Sequence, residues 1–292
     1  MAGVGKGASV KVAVMKGRTT LVVGDRVIDA ERASGGSVPA DPAVVFAAWP
    51  KLLSVAARLE QHGPGDALAV DYGVLERPVP VPVQAFGIGL NYADHAGESA
   101  MTLPDHPLVF PKFSSSIAGP NEPVATRSGA LDWEAELVVV IGTDCYEVAA
   151  GDALSVIAGY TAGQDLSDRV VQFEGGANPQ FGLGKSAPGF GPIGPWVVSA
   201  DELGATPQLD IRCDVDGVTK QSSNTSHLIF GVPALVAYLS SRVRLCAGDL
   251  IFTGTPAGVG WSREPKELLH PGSRIDTTIG GIGTLTTRVV GR

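Results

Sequence analysis

One run constrains the fold more than any other: Leu131-Asp132-Trp133-Glu134-Ala135-Glu136-Leu137-Val138-Val139-Val140-Ile141. After Glu136 it is apolar on both parities and mostly β-branched, so it reads as a strand covered on both faces. Glu134 and Glu136 stand at i and i+2 and share one side of that strand. Two carboxylates at the mouth of a buried strand repel one another. A pair of like unit charges ~4 Å apart at an effective dielectric of ~20 costs about 4 kcal/mol, a large share of a folding stability of ~5–15 kcal/mol. A divalent cation removes the conflict, and an all-oxygen ligand set suits Mg²⁺ or Mn²⁺ better than zinc. The alternative is that one carboxylate points to solvent where the strand begins.

The rest of the chain reads as strands cut by turns. Glycine and proline together, 38 and 21 of 292 residues, supply many breaks. Apolar runs at 155–160, 196–199, 209–215, 250–253 and 285–290 are separated by turns such as Asp216-Gly217 and Gly280-Gly281. Helical spacing returns at 232–243, with Pro233 suited to a first turn. Pro78-Val79-Pro80-Val81-Pro82 reads as an extended connector, because alternate prolines fix φ and remove donors. Ahead of it, 10–15 and 19–23 alternate around Lys16-Gly17-Arg18 as a hairpin, and Gly24-Asp25 turns into a further strand. Residues 42–61 have helical spacing, which Pro50 is expected to break into two helices. The expected fold class is α+β, mostly β. A small N-terminal α+β domain and its Pro-rich linker occupy 1–83, and a larger catalytic-type domain occupies 84–292.

Several function classes are excluded at this stage. A formal net charge of −8 argues against a nucleic-acid binder, which would need a basic face to displace counterions. The longest apolar stretch, 228–239, is far short of the ~20 residues of a bilayer span, and no signal-type run opens the chain. Three scattered cysteines form no disulfide or zinc pattern. A soluble, cytoplasmic protein without membrane partners is expected. Gly189-Phe190-Gly191-Pro192-Ile193-Gly194 matches a dinucleotide fingerprint by letter, but Pro192 and Pro195 oppose the helix that such a site needs, so a turn-rich loop is expected. Gly184-Lys185-Ser186 lacks the upstream glycine of a phosphate loop, and no zinc-peptidase or α/β-hydrolase motif is present.

Two further clusters bear chemistry. Asp165, Arg169 and Gln172 fall at i, i+4 and i+7, on one face if a helix begins that early. Asp165 is then a third metal ligand, with Arg169 and Gln172 facing substrate oxygens; the other reading is an N-cap aspartate and a surface-type salt bridge. His95 and Glu98, three apart in a polar, glycine-flanked segment, could form a base and its orienting carboxylate. His95 could equally be a surface histidine.

Together these motifs resemble the fumarylacetoacetate hydrolase family from about Phe86 onward. The match runs through Gly89-Leu90-Asn91-Tyr92-Ala93-Asp94-His95, Pro111-Lys112-Phe113, Asp132-Trp133-Glu134-Ala135-Glu136, Gln164-Asp165-Leu166-Ser167-Asp168-Arg169, Gly184-Lys185-Ser186 and Gly248-Asp249-Leu250-Ile251-Phe252-Thr253-Gly254-Thr255-Pro256. The resemblance implies a twisted mixed β-sandwich roll in a homodimer. It also implies Mg²⁺ or Mn²⁺ on Glu134, Glu136 and Asp165, chelating a small-molecule 2-oxo acid. His95 and Glu98 become the water-activating dyad, Lys185 the active-site lysine, and Thr255 a contact to the substrate carboxylate. Where many members have Lys-Ser-Phe-Asp, this chain has Lys185-Ser186-Ala187-Pro188. The expected activity is C–C hydrolysis of an acylpyruvate-type 2,4-dioxo acid, such as a fumarylpyruvate-like substrate. The alternatives are 2-hydroxyhepta-2,4-diene-1,7-dioate isomerase, oxaloacetate decarboxylase and, in another class, a non-catalytic metal or 2-oxo-acid binding module.

Overall fold

The computed structural model describes residues 10–63, 65–80, 82–93 and 105–292. The strands that build the site and its support are β1 (Lys11–Met15), β2 (Arg18–Val23), β3 (Arg26–Asp29), β4 (Ala85–Gly89), β5 (Leu108–Lys112), β6 (Ala135–Ile141) and β7 (Ile157–Gln164). They continue with β8 (Gly191–Ser199), β9 (Asp210–Val215), β10 (Val218–Asn224), β11 (Leu250–Phe252), β12 (Arg274–Ile279) and β13 (Gly283–Val290). The helices used below are α1 (Trp49–His62), α2 (Arg169–Phe173), α3 (Phe181–Gly184) and α4 (Val232–Ser240).

β6 shows why its sequence is apolar on both parities. Leu137, Val139 and Ile141 enter one buried cluster with Ile211 and Cys213 of β9, Ile275 of β12 and Leu285 of β13. Val138 and Val140 enter another with Leu250, Phe252 and the inward residues Trp49, Leu52 and Val55 of α1. A large mixed sheet runs β3-β2-β1-β8-β7-β6-β11-β4-β5, and a second runs β10-β9-β12-β13. One face of the large sheet packs on the second sheet and the other is covered by α1, an α+β arrangement that is mostly β.

The N-terminal strands join this large sheet. Lys11 and Val12 of β1 pair antiparallel with Val198 and Val197 of β8. The hairpin is where the alternation places it, with Lys16 and Gly17 both at positive φ, the conformation a two-residue turn requires. Pro50 does not divide a helix. It sits in the first turn of α1, where its missing donor costs nothing, behind a short 3₁₀ segment at Val45–Ala48.

Two other expectations are corrected. The strand expected from 155 begins only at Ile157, because Ala150–Val156 is 3₁₀ helix. The segment read as a loop at 189–194 enters β8, a strand buried throughout despite Pro192 and Pro195. The pairing of β7 with β8 shifts register between Tyr160 and Ala162, the kind of irregularity that accommodates a residue without a donor. Among the described residues no helix is long and apolar enough to cross a membrane.

Candidate metal centre

Three carboxylates distant in sequence converge because β6 and β7 pair antiparallel. Glu136 lies opposite Gly163 and Ala135 opposite Gln164, so the chain leaving β7 returns beside the chain entering β6. There the Asp165 N–H donates to the Glu134 carbonyl at 2.9 Å. One oxygen from each of Glu134, Glu136 and Asp165 lies within 4.8 Å of the others, and all three residues are buried. The strand-mouth reading of Glu134 and Glu136 therefore holds over the solvent-pointing one. Asp165 reaches them from the end of a strand and not from a helix.

Helix α2 starts only at Arg169, and its N-cap is Asp168, which accepts from the Val170 and Val171 N–H groups. The helical face expected to join Asp165, Arg169 and Gln172 is thus absent. The three still meet around one cavity. Arg169 does not pair with Asp165. Its guanidinium forks onto Asp132 Oδ2 at 2.9 and 2.7 Å, reaches Glu134 Oε1 at 2.6 Å and donates to Gln172 Oε1 at 2.8 Å. Burial opposes that charge, but Asp132 and Glu134 outweigh it and keep Arg169 protonated.

Lys185 bridges two of the carboxylates, donating to Glu134 Oε2 at 2.5 Å and Asp165 Oδ2 at 2.8 Å. Burial alone would lower its pKa; Asp165 and Glu134 reverse this and hold it above the usual lysine value. The lysine can reach them because Gly184 brings α3 onto α2: a Cβ there would lie 2.7–2.9 Å from Gln172 Cβ, Cα and N. Thr255 lines the same cavity, with its hydroxyl donating to the Ala135 carbonyl at 2.9 Å and accepting from Gln221 at 2.8 Å. His95 and Glu98 lie outside the described residues.

Two residues here had no role in the sequence reading. Lys112, at the end of β5, is buried and donates to Asp165 Oδ1 at 2.6 Å and to the Lys185 carbonyl at 2.5 Å. Burial depresses its pKa against the pull of Asp165. Asp132 accepts from Arg169 and from the N–H groups of Trp133, Gly260 and Trp261, tying the 259–262 segment to the centre. A lone lysine in the apolar run 108–112 was the available signal for the first, since a lysine placed inside needs a partner. Nothing in spacing marked the second.

Four carboxyl groups (Asp132, Glu134, Glu136, Asp165) thus face three cationic side chains (Lys112, Arg169, Lys185) in one buried cluster. Among the described residues Glu136 has no ion-pair partner and accepts only from the Gly254 N–H at 2.8 Å. Burial pushes its carboxyl well above the usual range, and the Asp165 and Glu134 charges push it further. The donor set is short of positive charge, all oxygen and close enough for one ion to bridge, so it fits a hard divalent cation.

Comparison with known proteins agrees. The family model for the fumarylacetoacetate (FAA) hydrolase C-terminal region matches residues 84–290. A Burkholderia ambifaria protein described only as a hydrolase is 46% identical over 200 residues, 68% of this chain and 70% of that one. A Mycobacterium smegmatis structure assigned as an HpcE protein superposes with TM-score 0.86 at 43% identity, covering 96% of this chain and 99% of that chain. 2-Hydroxyhepta-2,4-diene-1,7-dioate isomerase from Mycobacterium marinum gives 0.67 at 35%, covering 78% and 82%. Maleylpyruvate hydrolase from Sphingobium sp. SYK-6, solved with manganese(II) and pyruvate, gives 0.79 at 27%, covering 97% and 100%. Fold, carboxylate cluster and family match point the same way: the chain belongs to the fumarylacetoacetate hydrolase family.

Proposed function

We propose that this chain is a divalent-metal-dependent enzyme that hydrolyses a C–C bond in an acylpyruvate-type 2,4-dioxo acid. The observation that carries the reading is the buried convergence of Glu134, Glu136 and Asp165 beside a cavity of about 330 Å³ that Glu134 and Asp165 line, within the size range of small-molecule sites. Mg²⁺ or Mn²⁺ held by these three would supply Lewis-acid polarisation of the 2-oxo acid's oxygens. The relative solved with manganese(II) and pyruvate supports that choice of ion and ligand.

The chain's own groups then have definite tasks. Arg169, fixed by Asp132, holds Glu134 in place, and Gln172 is oriented by the same guanidinium. Lys185 presents an ammonium to the cavity, a preorganised donor for negative charge that develops on a substrate oxygen. Thr255, its hydroxyl held between the Ala135 carbonyl and the Gln221 amide, is proposed to stand near the substrate carboxylate. His95 and Glu98 are proposed as the base pair that takes a proton from water, worth roughly 10²–10⁴-fold. Water adds to the acyl carbonyl, the bond to the pyruvate fragment breaks, and that fragment takes up a proton as it leaves.

A second reading uses the same residues without water attack. The 35% identity to a diene-dioate isomerase favours isomerisation on that site. The proposal also includes a homodimer and the two-unit organisation 1–83 and 84–292, the latter supported by a family match that begins at residue 84. The test is a product assay on acylpyruvates, oxaloacetate and diene dioates, with and without Mn²⁺. Loss of the acylpyruvate absorbance with release of pyruvate is the expected result. Turnover of a diene dioate alone would replace hydrolysis by isomerisation.

A further inference from the structure

Beyond its ionic end the cavity is lined by Leu108, Phe110, Phe173, Phe181, Val259 and Trp261. The rings form two stacked pairs along its wall: Phe110 on Phe181 with centroids 5.6 Å apart, and Phe173 on Trp261 at 5.8 Å. The Lys185 ammonium lies 5.4 Å from the Phe110 centroid, so that ring borders the carboxylate cluster and the wall starts there. A ligand gripped at the cluster must extend its remaining atoms along these rings.

Among the described residues only two lining side chains are cationic, Arg169 and Lys185, and both sit at the ionic end, paired with its carboxylates. Lys266 holds its ammonium 3.6 Å from the Trp261 centroid, but it is exposed and lines no part of the cavity. Residues 94–104 carry neither lysine nor arginine, and one histidine, His95. A second carboxylate at the far end would give up part of its water to aromatic carbon, with no cation among the described lining residues to receive it, which is unfavourable. An alkyl or aryl group there gains by the same burial.

We infer that the acid taken by this chain has an uncharged, apolar acyl substituent remote from its 2-oxo acid group, and not a second carboxylate. This rests on the hydrolase reading for where the 2-oxo acid end sits, and it sets the substrate apart from fumaryl- and maleyl-type dioic acids. The test is calorimetric titration of the full chain loaded with Mn²⁺, using acids that are not cleaved. 2-Oxo-4-phenylbutanoate and 2-oxohexanoate are compared with 2-oxoglutarate and 2-oxoadipate. The apolar acids are expected to bind at least ~10-fold tighter, about 1.4 kcal/mol.

Dicarboxylates that bind as tightly or tighter, or failure of every acid to bind, overturns the inference. Phe173 is part-exposed at 39%, so Phe173→Arg tolerates its charge and is expected to raise 2-oxoadipate affinity about tenfold relative to 2-oxohexanoate; an unchanged ratio counts against the proposed wall. Turnover of benzoylpyruvate against fumarylpyruvate is measured separately. An apolar preference in binding without cleavage of either compound would sink hydrolysis and leave the substrate class standing.

Discussion

Replacing Glu136 by glutamine removes a carboxyl that burial, then Asp165 and Glu134, hold well above its ordinary pKa. The amide keeps an acceptor for the Gly254 N–H while taking away the charge. The Glu136→Gln protein is expected to lose Mn²⁺ affinity by more than ~100-fold, since an outer-shell partner alone is worth 10–100-fold, yet to melt no lower than the metal-free parent. Electron paramagnetic resonance counting of free Mn²⁺ and a thermal melt in chelator check the two halves. Lys112 behaves in the opposite way. Lys112→Met strips Asp165 Oδ1 of its ammonium and leaves the Lys185 carbonyl unanswered. Breaking a buried pair this way costs roughly 3–5 kcal/mol, read by urea unfolding, and Mn²⁺ binding should weaken by ~10–100-fold. An unchanged unfolding midpoint would show that Lys112 is not the clamp on Asp165 that the geometry describes.

Helices α2 and α3 illustrate how short elements depend on close approach. The Cβ of Gly184→Ala would meet Gln172 backbone atoms at 2.8–2.9 Å, and backbone cannot swing aside like a side chain. The helices must separate, and the neighbouring Lys185 with them. We expect a modest stability loss of ~1–3 kcal/mol with a disproportionate fall in turnover, measured by denaturation beside steady-state kinetics. This contact was not legible in the sequence, because nothing in Gly184-Lys185-Ser186 says which backbone it touches. The strand mouth of Glu134 and Glu136 was legible, since a period of two fixes the shared side without tertiary information. The spacing of Asp165 to Arg169 left it open between a ligand and an N-cap, and only the family resemblance made it a ligand; Asp168 takes the N-cap role and starts the helix three residues later than an N-cap at Asp165 would. Of the strand at Gly191–Ser199 the run 196–199 was legible, while 191–195 was hidden because two prolines oppose regular pairing, and the register shift of the neighbouring strand makes room for them.

Across the whole molecule, the buried surplus of carboxylate couples cation binding to pH. Glu136 is raised in the folded state, so the metal-free protein keeps its full stability below the unfolded carboxylate pKa and loses part of it as pH rises through the folded value. A cation that binds the ionised form offsets that loss. The rise in Tm on adding Mn²⁺ should therefore grow from about pH 5 to about pH 8, and chelator should reverse it; saturation at ~100 times Kd corresponds to about 2.7 kcal/mol. Differential scanning fluorimetry across that range decides the matter, and a shift independent of pH would contradict a protonated Glu136 in the metal-free state. The seam where Lys11 and Val12 meet Val198 and Val197 has a wider bearing. Without that first hairpin the amide groups of a central strand would lie bare, a template for adhesion between chains. The leading segment is thus no detachable ornament, and any recombination that exchanges it must bring a matching ladder of its own.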